Sequence, residues 1–201
     1  TLYAKWDKNI VYVDVPSTFW GYADIMAMTD LKLFNGEVIN GENYFKPADN
    51  MTRAQFVTVL GRYEGVTESE YSAADYAFTD ISSGVESWAG SYIAWASENG
   101  IVNGTSETTF EPNKSVSRQE MATIIGRYLD YKEYAVEADW NAVNFSDKVQ
   151  VKDWAQDGVA ICVQSGIIEG FDDNTFRPAD NMNRAQGATV MSRIVKLFAA
   201  Q

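Results

Sequence analysis

Three stretches of this chain repeat one pattern of apolar and polar positions. Counting from Arg53, the third, sixth, seventh and tenth residues are Phe56, Val59, Leu60 and Tyr63. From Arg118 they are Met121, Ile124, Ile125 and Tyr128, and from Arg184 they are Gly187, Val190, Met191 and Ile194. That spacing places the side chains on one face of an α-helix. Gly187 stands where its counterparts are bulky, so a thinner helix interface is expected there. Thr52-x-x-Gln55, Ser117-x-x-Glu120 and Asn183-x-x-Gln186 each fit a capping box at the start of this helix.

A shorter apolar face lies upstream in each copy. The fifth and eighth residues after Trp20, Trp88 and Trp154 are Ile25 and Met28, Ile93 and Ala96, and Val159 and Cys162. A first helix is therefore expected to start near each tryptophan. A glycine follows sixteen residues after each tryptophan (Gly36, Gly104, Gly170), and then Phe-x-Pro (Phe45 to Pro47, Phe110 to Pro112, Phe176 to Pro178). Proline disfavours helix in the residue before it, so Phe-x-Pro is expected to be a short extended piece between two helices. An aromatic-x-Asp step opens each copy: Tyr12 to Asp14, Phe78 to Asp80 and Phe145 to Asp147. The copies recur about every 66 residues, which marks a repeat architecture whose units share a core. Units begin near residues 10, 76 and 143, and the polar stretches 64–77 and 132–144 read as linkers.

Composition narrows the chemistry. The 201 residues can bury a substantial core. A net charge of −12 opposes nonspecific nucleic-acid binding, which needs a positive field. No apolar run approaches the roughly 20 residues of a membrane span. The absence of histidine removes the commonest general base and the favoured transition-metal ligand. Cys162, the one cysteine, falls where its counterparts are methionine and alanine and is expected to be a buried small hydrophobe.

The arginine is the position that capping does not explain. It falls in the first helical turn, where the helix dipole disfavours a cation by about 0.3–1 kcal/mol. Three copies of that choice require a partner. One candidate is a structural carboxylate, such as the aspartate of the aromatic-x-Asp step. The other is an anionic ligand, held by an arginine fork beside the free N–H groups of a helix start. The tryptophans divide similarly, between core packing and a surface for the C–H face of a sugar ring.

Taken together, Tyr/Phe-x-Asp, Trp, Gly, Phe-x-Pro and Thr/Ser/Asn-Arg-x-Gln/Glu, three times over residues 10–198, resemble the S-layer homology (SLH) family. The resemblance implies a mainly α fold. Three tandem helix-loop-helix repeats would form a pseudo-threefold, three-pronged spindle around a central helix bundle. Repeats would occupy 10–75, 76–142 and 143–201. Residues 1–9, opening "TLYAKW", resemble the closing strand of an internalin-type surface repeat and would be the tail of an upstream domain. The implied function is noncovalent anchoring of an exported protein to the bacterial cell wall, extracellular and within the wall or S-layer, typically in Gram-positive bacteria. The implied partner is a secondary cell-wall polysaccharide ending in a pyruvylated N-acetylmannosamine-type sugar, bound in grooves between prongs. The module would be a monomeric part of a larger surface protein, with no cofactor, no metal and no catalytic residues. Its ligand-binding residues would be Asp14, Trp20, Arg53, Asp80, Trp88, Arg118, Asp147, Trp154 and Arg184. The resemblance favours the ligand reading of the arginines.

Two features of repeat 1 depart from the others. Lys32 replaces the glycine found at 100 and 166, and the following loop is three residues longer, so its groove is expected to differ, with Lys32 a candidate second cation. Rival functions find less support. A catalytic carboxylate pair would not recur in triplicate with the scaffold, and no nucleophile elbow or phosphate-cradling loop is present. "GFDDNTF" (170–176) lacks the spacing of a calcium loop and reads as an Asx-type turn. A protein–protein module of a surface assembly is the remaining alternative.

Overall fold

In the computed structural model, residues 10–67, 69–71, 78–81 and 83–200 are described. The expected tail of an upstream repeat at 1–9, and the expected start of the second unit at 76, lie outside them. Six α-helices dominate: α1 (Tyr22–Asp30), α2 (Arg53–Tyr63), α3 (Ser83–Glu98), α4 (Arg118–Tyr131), α5 (Gln156–Gln164) and α6 (Arg184–Ala199). The fold is mainly α, as the pattern indicates.

All three capping boxes form. Thr52, Ser117 and Asn183 accept from the backbone N–H of Gln55, Glu120 and Gln186, whose side chains accept from the cap residues' own N–H groups. The predicted apolar faces are buried: Phe56, Leu60, Met121, Ile125, Tyr128, Met191 and Ile194 lie in one continuous core with Ile25, Ile93, Val159 and Cys162. Tyr63 is only half-buried. The Cys162 thiol donates to Ala122 O at 3.5 Å, and burial raises its pKa, so it is an inert packing group. Gly187 leaves no thin interface: the Met51 thioether fills the space its missing side chain opens.

The repeats are joined cyclically. The second helix of each copy packs on the first helix of the next: α2 on α3, α4 on α5, and α6 back on α1. At the helix starts the backbones close a ring. Met51 N–H donates to Met182 O (2.8 Å), Met182 N–H to Val116 O (2.9 Å), and Val116 N–H to Met51 O (2.9 Å). Each unit thus satisfies its neighbour's backbone, as buried polar groups must be.

Two local expectations need correction, and the longer loop of repeat 1 takes a regular form. The residue between Phe and Pro is not extended. Lys46, Glu111 and Arg177 have φ of 59°, 57° and 56°. The preceding aspartate imposes this: its two oxygens accept from consecutive backbone N–H groups, a nest that needs a left-handed residue. In repeat 1 the longer loop is a hairpin, β1 (Glu37–Ile39) paired antiparallel with β2 (Glu42–Tyr44). Its turn is Asn40-Gly41, both at positive φ, a standard signal for a tight hairpin. Finally, α3 begins five residues before Trp88, whereas α1 begins just after Trp20 and α5 just after Trp154.

Lys32 takes the conformation of the glycines it replaces. Its φ is 60°, against 68° at both Gly100 and Gly166. All three end the first helix with the same bond, from the next residue's N–H to a carbonyl five back (Leu33 to Met28, Ile101 to Ala96, Ile167 to Cys162).

Candidate functional site

The aspartates organise the loop on which the site is built. Asp14 accepts from Phe45 N–H (2.9 Å) and Lys46 N–H (2.7 Å). Asp80 accepts from Phe110 N–H (2.9 Å) and Glu111 N–H (2.7 Å). Asp147 accepts from Phe176 N–H (2.8 Å) and Arg177 N–H (2.7 Å). The aromatic two residues earlier packs on the same phenylalanine, with ring centroids 5.4 Å apart for Tyr12–Phe45 and Phe78–Phe110 and 5.6 Å for Phe145–Phe176. Those aromatic rings also rest against Gly36, Gly104 and Gly170, where a Cβ would collide with them. This explains the glycine sixteen residues after each tryptophan.

The loop's carbonyl groups then receive the arginine of the preceding repeat. Arg53 Nε donates to Phe110 O (2.9 Å) and its Nη2 to Asn103 O (3.0 Å). Arg118 Nε donates to Phe176 O (2.6 Å) and its Nη2 to Glu169 O (2.8 Å). Arg184 Nε donates to Phe45 O (2.9 Å) and its Nη2 to Asn35 O (2.8 Å). Each guanidinium also lies 4.7–4.9 Å from the centroid of that phenylalanine. The aspartate is therefore not the arginine's ion partner, as the first of the two readings had it; it holds the peptide whose carbonyl is.

Nor are the helix N-termini open to an anion. In α2 the first N–H groups, of Arg53 and Ala54, donate to Lys114 O and Pro112 O of the next repeat, and the third goes to the Thr52 cap. In α4 and α6 the pattern repeats, with Asp180 and Pro178, then Asp49 and Pro47, as acceptors. An anion here must be met by side chains.

The side chains available are cations without counter-charges. Among the described residues, Arg53, Arg118 and Arg184 form no ion pair with a carboxylate. Arg53 and Arg118 are 6% and 5% exposed. Burial lowers the pKa of all three, that of Arg118 to about 10, so they remain charged at neutral pH while poorly solvated. Nε and Nη2 are occupied; the Nη1 groups of Arg53 and Arg184 have no hydrogen-bond partner among the described residues, and that of Arg118 only the Met182 thioether, at 3.6 Å.

Each of these arginines lines a groove assembled from all three repeats. The Trp20 groove, about 390 Å³, places Trp20 of repeat 1 with Arg118 of repeat 2 and with Glu169, Gln186 and Arg193 of repeat 3. The Trp154 groove, about 410 Å³, places Trp154 with Arg53 and with Asn103, Glu120 and Arg127. The Trp88 groove, about 170 Å³, places Trp88 with Arg184 and with Asn35, Gln55 and Arg62. The tryptophans are not core residues: they are 63%, 55% and 39% exposed at positions 20, 154 and 88. Arginine and tryptophan thus converge threefold, from different copies, while Asp14, Asp80 and Asp147 stay outside the groove linings. Lys32 is also outside the smallest groove.

Sequence reading missed the second arginine. Arg62, Arg127 and Arg193 each follow the first arginine by nine residues, and each lines a groove. The signal was in the repeated stretches themselves: a charge at one fixed position on the polar flank of the apolar face. Arg62 Nη1 donates to Leu33 O (3.1 Å) and Arg193 Nη1 to Ile167 O (3.2 Å), while Arg193 also pairs with Glu169 (2.7 Å). Arg127 makes no hydrogen bond or ion pair among the described residues. Two cations with an unscreened aromatic face suit a carboxylate carried on a sugar ring.

Thr58 adds a hydroxyl to the Trp88 groove. It is 3% exposed and its Oγ1 has no partner among the described residues, whereas Thr123, five residues after Arg118 as Thr58 is after Arg53, donates to Gln119 O at 2.9 Å. An unpaired buried hydroxyl is destabilising, so Thr58→Val is expected to raise stability by about 1 kcal/mol in denaturant melts. A loss of stability instead would mean that the hydroxyl is satisfied by water.

Comparison with known proteins follows the repeat. The family profile described as "S-layer homology domain" matches residues 11–57, 77–122 and 144–188. An endoglucanase of Bacillus sp. (strain KSM-635) is 33% identical over 92% of this chain and 18% of its own length. The surface-layer 125 kDa protein of Lysinibacillus sphaericus is 30% identical over 88% of this chain and 14% of its own length. A cellulosome-anchoring protein of Acetivibrio thermocellus is 30% identical over 74% of this chain and 33% of its own length. The chain therefore spans a third or less of these relatives.

Proposed function

This chain belongs to the S-layer homology family, and we propose that it anchors a larger exported protein to the bacterial cell wall by binding an acidic secondary cell-wall glycan in its three grooves. Cell-wall or S-layer anchoring at the outside of the cell is the family's general role. It is a non-catalytic one, although some relatives named for an enzymatic activity carry the same repeats. The finer reading, a sugar bearing a carboxylate such as pyruvylated N-acetylmannosamine, rests on one observation. In each groove a half-exposed tryptophan from one repeat faces the first arginine of another, buried at Arg53 and Arg118 and half-buried at Arg184, with a second arginine from the third.

The division of labour follows from the geometry. The first arginine offers Nη1 and the second its guanidinium to the carboxylate. Tryptophan covers the apolar face of the ring. The aspartates do not touch the sugar; each fixes the phenylalanine carbonyl that aims the first arginine. The Trp88 groove has two arginines and no carboxylate in its lining, whereas in the Trp20 groove Glu169 pairs with Arg193, and the Trp154 groove includes Glu120, which pairs with Lys114.

Two measurements test this. Wall sacculi that keep their polymer should pull the chain down, and sacculi stripped with hydrofluoric acid should not. Retention on stripped walls would turn the reading toward a protein or peptidoglycan partner. Titration with a pyruvylated disaccharide should show binding that its pyruvate-free counterpart lacks, because an unpaired buried cation is what the carboxylate relieves. Equal binding of the two would overturn the carboxylate's role.

A further inference from the structure

We propose that the Trp154 groove, unlike its two counterparts, continues into a second saccharide subsite that takes an uncharged sugar next to the acidic one. This rests on the glycan reading above. A second cavity of about 220 Å³ shares Thr123, Arg127 and Trp154 with the groove and follows the crossing of α4 and α5. Asp130, Asp157 and Gly158 complete its working surface.

The cavity exists because two glycines meet there. Gly126 and Gly158 bring the helix backbones into contact, so no side chain projects over the crossing. The equivalent of Gly158 is Tyr92 in repeat 2 and Asp24 in repeat 1. At the α2–α3 crossing the Tyr92 ring lies against Gly61. At the α1–α6 crossing Asp24 pairs with Lys196 at 3.2 Å. Side chains therefore occupy both corresponding crossings.

The chemistry of the two cavities is opposite in sign. On one side of the shared residues stands Arg53, buried and without a carboxylate partner. On the other stand Asp130 and Asp157, both exposed, with neither carboxylate in an ion pair or hydrogen bond among the described residues. Carboxylates accept strongly from neighbouring sugar hydroxyls, and they repel a second carboxylate. Trp154, 55% exposed, offers its ring to both units. A two-sugar chain end is thus read in one direction, with the acidic unit at the arginines and a neutral unit at the aspartates.

The test uses the indole N–H signals of Trp20, Trp88 and Trp154 as separate reporters in the intact chain. Pyruvylated N-acetylmannosamine is titrated alone, then as a disaccharide extended by one neutral N-acetylhexosamine. The disaccharide is expected to bind roughly tenfold more tightly at Trp154, with no gain at Trp20 or Trp88, and Asp130→Ala/Asp157→Ala is expected to remove the gain without weakening the monosaccharide. Both substitutions are at exposed positions, so the variant should fold. No gain at Trp154, an equal gain at all three tryptophans, or a gain that survives the double substitution would overturn the subsite. Failure of the monosaccharide to move any of the three signals would overturn the acidic-glycan reading on which the subsite rests, a separate result.

Discussion

Arg118→Ala is expected to lower folding stability by about 2–4 kcal/mol before any ligand is added. The side chain carries two charge-assisted bonds across a repeat boundary, to Phe176 O at 2.6 Å and Glu169 O at 2.8 Å, and it covers the Phe176 ring. Phe176 is fully buried, so its carbonyl loses its guanidinium donor with little access to water. For a chain of this length the melting temperature should fall by roughly 5–15 °C. Arg118→Lys keeps the cation but cannot fork to both carbonyls, and should recover about half the loss. An unchanged melting temperature in Arg118→Ala would mean that the arginine is a free ligand group and not a tie between repeats.

That result would matter beyond one residue, because the repeats depend on each other in a circle. The helix starting at each arginine places its first two N–H groups on the next repeat's backbone, and the three central segments exchange hydrogen bonds in a closed ring. A break at one boundary therefore loosens both neighbours. Unfolding should remain a single transition, with the denaturant slope unchanged in the variant.

This circularity also marks where the sequence was readable and where it was not. The helices, their caps and their buried faces are local consequences of periodicity, and residues such as Thr52, Gln55, Phe56 and Leu60 announce them directly. The arginine was legible as an anomaly: a cation at a positive helix end requires a partner. Its partner was not legible, because Phe110 O and Asn103 O are backbone atoms of another unit, and backbone acceptors leave no trace in composition. The same holds for the left-handed residue before each Phe-x-Pro proline. Only the aspartate's grip on two adjacent N–H groups imposes it, and that grip spans about thirty residues. The convergence of Trp154 on Arg53 is likewise invisible one repeat at a time, since it crosses from repeat 3 to repeat 1. By contrast, the second arginines and the Asn40-Gly41 hairpin are legible in the sequence itself, the first as a charge at one fixed repeat position and the second as a tight-turn dipeptide.

Because the first arginines serve the scaffold as well as the groove, the second arginines separate binding from folding. The triple variant Arg62→Ala/Arg127→Ala/Arg193→Ala is expected to abolish retention on polymer-bearing walls while the fold persists. The stability loss should stay near 1–3 kcal/mol in total. Arg127 has no bond among the described residues to lose, Arg62 loses one to Leu33 O, and Arg193 loses one to Ile167 O and an exposed pair with Glu169. On the binding side, each groove loses one of two cations for the carboxylate, so each site should weaken roughly tenfold or more. Three weakened sites on one rigid body compound, since simultaneous engagement of a multivalent wall raises avidity by roughly 10²–10⁴ and disappears as each contact fails. Cosedimentation and a denaturant melt of the same preparation decide the matter together. Wall retention surviving in a folded triple variant would show that the second arginines lie beside the ligand without touching it, and the buried arginines alone would then have to hold the carboxylate.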